Sequence, residues 1–178
     1  VGGILANDSY PADFIYDKNG NLIHGPFDNQ TIWEGFDDGQ PFDNANDGDP
    51  IVLYDEQADR WLVSQFAVNT SNSKFYELVA VSTTSDPTGS YYRYAFEFDN
   101  MPDYPKFGIW PDGYYLSINQ FANAQFWAGG GVAILDRSAM GRLSCTLSTL
   151  IMVSSETNRI SIRVRPSGLP QACCWARA

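Results

Sequence analysis

Histidine and cysteine are scarce in this chain. There is one histidine, His24, and the three cysteines (Cys145, Cys173 and Cys174) all follow residue 144. A single histidine excludes a multi-histidine zinc site or a histidine-based nucleophilic triad within one chain. An odd number of cysteines, two of them adjacent, gives no legible disulfide framework. His24 stands beside Gly25 and Pro26, so we expect it in a surface turn. As a single histidine it is not expected to act in catalysis.

Long apolar runs and excess positive charge are also missing. A membrane-spanning helix needs about 20 apolar residues, and the longest apolar stretch, 147–153, is far shorter. We therefore predict no membrane span. The formal net charge is −10, and residues 1–140 hold six basic and twenty acidic side chains. Such a body repels nucleic-acid phosphates, so its electrostatic partners are expected to be metal ions or other cations.

Aromatic residues and turn formers are abundant. Aromatic side chains make up 15% of the chain, and short alternating segments are separated by Gly, Pro, Asn and Asp rather than by helical periodicity. This pattern is typical of short strands joined by tight turns. The predicted strands are 51–55, 60–68, 74–83 and 90–98, followed by 106–110, 114–122 and 129–137. Upstream, the Asn-Gly pair in residues 13–26 predicts a hairpin.

Two stretches repeat at a fixed interval. Pro50 matches Pro105, and the triplet Gln-Phe-Ala that begins at Gln65 recurs at Gln120, so both landmarks return after the same distance along the chain. Four antiparallel strands recurring about every 40–55 residues are typical of a β-propeller blade. The fold predicted is therefore all-β, with four-stranded antiparallel blades. A β-sandwich whose neighbouring hairpins happen to match is the alternative.

A resemblance to known proteins supports the propeller. The stretches "NDGDPIVLYDEQADRWLVSQFAV", "YELVAVSTTSDPTGSYYRYAFEF", "DYPKFGIWPDGYYLSINQF" and "GGGVAILDRSAM" resemble a group of secreted bacterial β-propeller proteins, most of which lack an assigned function. "FIYDKNGNLIHGPFDNQTIWEGF" resembles the segment that precedes these motifs in that group. The resemblance covers about residues 13–140. It implies the propeller fold and a secreted or periplasmic bacterial location, and it implies no catalytic residues.

The propeller predicted here is incomplete. We expect one domain over 1–178: a partial first blade at 13–45, a second at 46–100 and a third at 101–178. From about residue 141 the composition changes to Arg, Ser and Cys, and the resemblance ends. We interpret the chain as a fragment or natural truncation with a foreign tail, whose β-prone segments 146–155 and 158–166 could complete the third blade. Because blades bury both faces against neighbours, we predict a homo-oligomer, most simply a dimer that closes a ring.

Polar loops before the first strand of each unit supply the candidate site. Both loops are expected at one mouth of the central channel, and their oxygens are the ligands that Ca²⁺ prefers. The predicted ligands of a divalent metal, most simply Ca²⁺, are Asn46, Asp47, Asp49, Asn100 and Asp103. The predicted catalytic residues are Asp49, Asp103 and Lys106. The alternative is that these Asp and Asn residues only make turns and that Lys106 pairs with Asp103.

Two functions follow from these features. The first is an extracytoplasmic metal-dependent hydrolase of esters or phosphoesters, in which the metal polarises the substrate oxygen. The second is a non-enzymatic module that binds glycans or proteins. Aromatic residues either pack the blades or form a stacking platform for sugars; the candidates are Trp33, Trp61, Tyr91, Tyr92, Tyr94, Trp110, Tyr114 and Tyr115.

Overall fold

The computed structural model describes residues 3–5, 13–36, 42, 46–69, 73–138 and 140, and within them the protein is all-β. One 3₁₀ helix, η1 (Asn29–Trp33), accompanies ten strands. The strands are β1 (Gly3–Leu5), β2 (Asp13–Tyr16), β3 (Leu22–Phe27), β4 (Ile51–Asp55), β5 (Arg60–Asn69), β6 (Lys74–Ser82), β7 (Tyr91–Phe98), β8 (Met101–Ile109), β9 (Gly113–Ala122) and β10 (Phe126–Asp136).

The strands form three antiparallel sheets in chain order. The first sheet is β1-β2-β3, the central sheet is β4-β5-β6-β7, and the third sheet is β8-β9-β10. Each sheet is a simple meander, because every connection joins neighbouring strands. The predicted hairpin at 13–26 is confirmed: β2 pairs with β3 across a turn in which Gly20 has a φ of 83°, a conformation that favours glycine.

The central sheet is covered on both faces. On one face Trp61, Tyr76 and Leu78 pack with the side chains of Ile32, Trp33, Phe36 and Phe42. On the other face, Leu62, Val79 and Phe96 pack against the third sheet through Tyr114, Leu116, Ile118, Ala133 and Leu135. β6 is therefore a nearly continuous buried strand, "KFYELVAVS", as expected of a strand with two covered faces.

The sequence repeat is visible in the packing. In the central sheet, Val52, Tyr54, Trp61 and Val63 belong to the core on the side of η1. The residues one repeat interval later, Phe107, Ile109, Leu116 and Ile118, belong to the core between the central and third sheets. Equivalent side chains in the two units thus face the preceding part of the chain. The sheets and these matching faces are compatible with propeller blades.

Two strand boundaries were predicted wrongly. The first strand of this unit was expected to begin at residue 106, after a polar loop, yet β8 begins at Met101. Prolines are tolerated in an edge strand, and the pairing of β8 with β9 shifts register between Asp103 and Lys106. β10 likewise begins at Phe126 rather than at the glycine run. The predicted tail strands 146–155 and 158–166 and the three cysteines lie outside the described residues.

Candidate functional site

Two predicted ligand carboxylates are engaged with backbone amides. The Asp47 Oδ2 atom accepts a hydrogen bond of 2.7 Å from the amide of Val68, at the end of β5. The Asp49 Oδ2 atom accepts one of 3.0 Å from the amide of Tyr104 in β8. The second bond joins the two predicted loops, since Asp49 and Tyr104 are equivalent positions of the two repeated units. Both carboxylates therefore fix backbone segments, which is the role expected of turn residues.

The backbone at these positions is unusual. Asp49 and Tyr104 each have a φ of 51°, each precedes a proline, and Gly48 has a φ of 127°. Residues other than glycine rarely adopt positive φ, and such positions often accompany functional sites. This conformation precedes β4 at Asp49, whereas at Tyr104 it falls inside β8, where the pairing with β9 shifts register.

The other predicted residues are spread around this contact. Asn46 is exposed, and Asn100 and Asp103 are half-buried, with Asp103 paired to Asn119 in the sheet. The predicted Lys106–Asp103 ion pair is not seen. Instead, Lys106 Nζ donates to the Pro105 carbonyl at 2.8 Å and lies 3.7 Å from the centre of the Tyr104 ring. Within the described residues, no three His, Cys, Asp or Glu side chains lie close enough to share a metal ion.

A buried acid that was not predicted lies near Asp49 and Lys106. Glu77, in β6, is 0% exposed, and neither of its carboxyl oxygens has a partner in hydrogen-bond geometry. Burial raises the pKa of Glu77 well above its ordinary value, and the charge of Asp49 adds to this effect. The nearby Ser64 hydroxyl and the charge of Lys106 oppose the rise in pKa without overcoming it. Burial therefore favours the protonated, neutral form of this carboxyl group.

Other unpartnered polar atoms lie in the same seam between the central and third sheets. Ser64 and Gln120 are both 0% exposed, and the Ser64 hydroxyl and the Gln120 Oε1 atom have no partner in hydrogen-bond geometry. Gln120 lies on the same face of β9 as Tyr114, Leu116 and Ile118, which pack on the central sheet. Its Nε2 atom donates to the Gly130 carbonyl at 3.3 Å. Buried polar groups without partners are uncommon in native proteins. The seam therefore combines an apolar core with an unusual group of unsatisfied polar atoms.

A second polar cluster joins the same two sheets at the opposite end of β4. Asp55, 1% exposed, accepts from Arg137 Nε at 2.5 Å and Nη2 at 2.9 Å, and from the Tyr114 hydroxyl at 2.9 Å. The amides of Gln57 and Ala58 also donate to it at 3.0 Å. Burial alone would raise the pKa of Asp55, but these hydrogen bonds outweigh it and lower the pKa. This cluster is structural, because the Asp55 carboxylate already accepts five hydrogen bonds from the protein.

The aromatic candidates divide into core and surface residues. Packing is confirmed for five, which are buried in the two cores: Trp33, Trp61, Tyr91, Tyr94 and Tyr114. Trp110 is 65% exposed, and with Gly108, Ile109 and Tyr115 it lines a hollow of about 380 Å³. Tyr92 and Tyr115 are half-buried. Of the eight candidates, Trp110 and Tyr115 are therefore the two placed to meet a partner at a hollow.

His24 was expected in a turn, and that expectation was wrong. It lies in β3, half-buried, opposite Ile15 of β2. Its ring centre is 5.2 Å from that of Phe27. No candidate catalytic side chain accompanies it in these contacts.

Comparison with known proteins returns nothing: no family model, no curated protein and no solved structure matches the chain. In the part of the chain that the structure describes, no helix is both long and apolar enough to cross a membrane.

Proposed function

We propose that this chain is part of a β-propeller and serves as a non-enzymatic protein-binding module, whose partner is a second copy of the chain. The proposal rests on the large apolar side chains that are exposed on the outer face of the third sheet. This face is formed by the side chains that alternate with those packed on the central sheet: Gly108, Tyr115, Ser117, Asn119, Phe121, Val132 and Ile134, with Trp110 and Trp127 at its ends.

The outer face exposes large apolar side chains. Trp110 is 65% exposed, Trp127 is 62% exposed and Val132 is 39% exposed. The four strands of the central sheet carry no exposed large apolar side chain among the described residues, since both of its faces are covered. The sequence of the third sheet repeats that of the central sheet at a fixed interval along the chain. The central sheet packs against a neighbouring sheet, so the outer face of the third sheet is expected to pack against a similar sheet.

Covering this face has a favourable free energy. Complete burial of a large apolar side chain stabilises by about 1.5–3 kcal/mol, and several such residues lie on one surface. A repeat array stabilises itself by such contacts between neighbouring units. A head-to-tail contact of this kind closes into a ring when its rotation fits. The proposed propeller is completed in this way by two chains.

The test is the mass of the purified chain in solution. Wild type is expected to sediment as an oligomer at micromolar concentration, and Val132→Glu is expected to be a folded monomer. Lys18→Gln is the control, since it changes the charge by the same amount at an exposed turn of the first sheet. A folded wild-type monomer at these concentrations would rule out the second copy as partner.

The metal-dependent hydrolase is the second candidate, and Glu77 is the observation that favours it. Glu77 is a buried acid near Asp49 and Lys106 whose pKa is raised by burial, and acids with raised pKa values often occur at active sites. Chromogenic esters and phosphoesters are the substrates to test, with and without a chelator. Turnover that the chelator abolishes and that Glu77→Gln reduces supports this candidate, whereas no turnover of either class removes it.

A further inference from the structure

The outer face of the third sheet has a hollow at the end where β8 turns into β9. It is about 380 Å³ in volume and is lined by Gly108, Ile109, Trp110 and Tyr115. Gly108 pairs with Tyr115 across the sheet, and a Cβ atom placed on Gly108 would meet nothing within 4 Å. The glycine therefore provides an open floor, and the aromatic side chains provide the walls.

A carboxylate is hydrogen-bonded to one wall of this hollow, Tyr115. Asp112 accepts hydrogen bonds from the Tyr115 hydroxyl at 3.1 Å and 3.3 Å to its two oxygens. This hydrogen bond, burial and the charge of Asp112 all raise the pKa of Tyr115, so the phenol stays protonated as the donor. Arg137 does not neutralise Asp112 through its side chain, because its guanidinium is held by Asp55, Gln57 and the Pro111 carbonyl.

The neighbouring seam already binds a guanidinium at the equivalent place. Asp55 and Trp110 are equivalent positions of the two repeated units, and each lies at the corresponding end of its sheet. There Asp55 receives the side chain of Arg137, which belongs to the next unit of the chain. In the third sheet the equivalent position is occupied by Trp110, and a carboxylate follows two residues later, at Asp112. An aromatic ring beside a carboxylate attracts a cation through the ring quadrupole and through charge.

We propose that this hollow binds a cationic nitrogen group, and that in the assembly the group is an arginine or lysine side chain of a second copy of the chain. The identity of the partner rests on the proposed function, whereas the preference for a cation rests on Trp110, Asp112 and Tyr115. A neutral sugar is the other ligand that aromatic walls accept, and the experiment separates the two.

The ligand experiment uses the full chain carrying Val132→Glu, so that self-association does not cover the hollow. N-acetyl-arginine amide, which carries a guanidinium and no carboxylate, is titrated by calorimetry, with methyl glucoside as the neutral probe. We expect saturable binding of the amide, at least tenfold weaker binding with Asp112→Asn, and no binding with Trp110→Leu. Asp99→Asn, at another exposed carboxylate, is the matched control and should bind as its parent does.

The assembly experiment uses chains with Val132 intact. Asp112→Asn is expected to weaken the dimer about tenfold in sedimentation at low salt, and Asp99→Asn is not. If the amide binds but chains with Val132 intact remain monomeric, the cation site is supported and the proposed assembly is refuted. A dimer unaffected by Asp112→Asn, together with no amide binding, would overturn the cation site and leave the assembly standing. If methyl glucoside binds, its binding persists in Asp112→Asn and the amide does not bind, the hollow is a sugar site. That result would also overturn the proposed cation site.

Discussion

Removing Arg137 is predicted to destabilise the protein more than removing any surface charge. The side chain is 15% exposed, and its partner Asp55 is 1% exposed. Arg137→Met keeps an aliphatic side chain of similar length but removes both guanidinium hydrogen bonds to Asp55. Breaking a buried ion pair on one side costs about 3–5 kcal/mol, because a buried charge is left without its counterion.

The expected cost lies at the lower end of that range. Asp55 keeps three donors after the substitution: the Tyr114 hydroxyl and the amides of Gln57 and Ala58. We therefore expect a loss of about 3 kcal/mol, or a fall in Tm of about 6–12 °C for a chain of this size. Urea unfolding followed by circular dichroism measures it.

The control is the other ion pair within the described ranges, Lys74–Glu97, whose side chains are 34% and 22% exposed. Lys74→Gln is expected to cost less than about 1 kcal/mol, as surface pairs do. The double variant Asp55→Asn with Arg137→Met should be less destabilised than the sum of its single changes. If Arg137→Met also costs less than about 1 kcal/mol, the value typical of a surface pair, the structural role given to Asp55 and Arg137 is refuted.

Two buried acids predict how stability depends on pH. Burial raises the pKa of Asp13 from 3.8 to about 7, so the unfolded state releases its proton first and stability is lost as pH rises from about 4 to 7. At about 1.36 kcal/mol per pH unit, the loss of stability is at most about 4 kcal/mol. The Asn29 amide lies 2.9 Å and 3.0 Å from the two carboxyl oxygens of Asp13 and reduces this loss. Asp13→Asn should remove this dependence in urea unfolding at several pH values; an unchanged profile would contradict it. Burial also raises the pKa of Glu77, so Glu77 should likewise lower stability as pH rises toward its folded pKa. Glu77→Gln should remove that loss, and because it exchanges one neutral polar group for another of similar shape, it should change stability by less than about 1 kcal/mol in mildly acidic buffer. A loss there of more than about 2 kcal/mol, the size expected when a buried polar group loses its interactions, would show that the neutral acid is not what the site requires.

The strands of the central sheet were predictable from the sequence. β4 was predicted to the residue, and β5, β6 and β7 to within one residue at each end. This accuracy comes from local information, since the alternation of side chains and the turn residues both act within a few positions. β8 was predicted too short for the same reason: prolines are a local signal against a strand, and only its pairing with β9 overrides them.

The candidate site was less predictable. Glu77 gave a usable signal, because it is the one acidic residue within an otherwise apolar and aromatic stretch of β6. The Asp55–Arg137 pair gave none, since Asp55 has the sequence of an ordinary turn residue and its partner is 82 positions away. Contacts between sheets depend on how whole units pack, and no local pattern encodes which distant side chain meets a given carboxylate.

The two polar clusters of the seam differ in what they can do. Asp55 has a complete set of donors, so its hydrogen bonds join the central and third sheets and leave no acceptor for a ligand. Glu77 has no partner in hydrogen-bond geometry for its oxygens, and burial favours its neutral form, which avoids the larger cost of a buried charge. The polar group that is left unsatisfied lies near Asp49, which shares an uncommon backbone conformation with Tyr104. Chemistry of the second candidate function is therefore expected at the Glu77 end of the seam, while the hydrogen bonds of Asp55 join the two sheets at the other end.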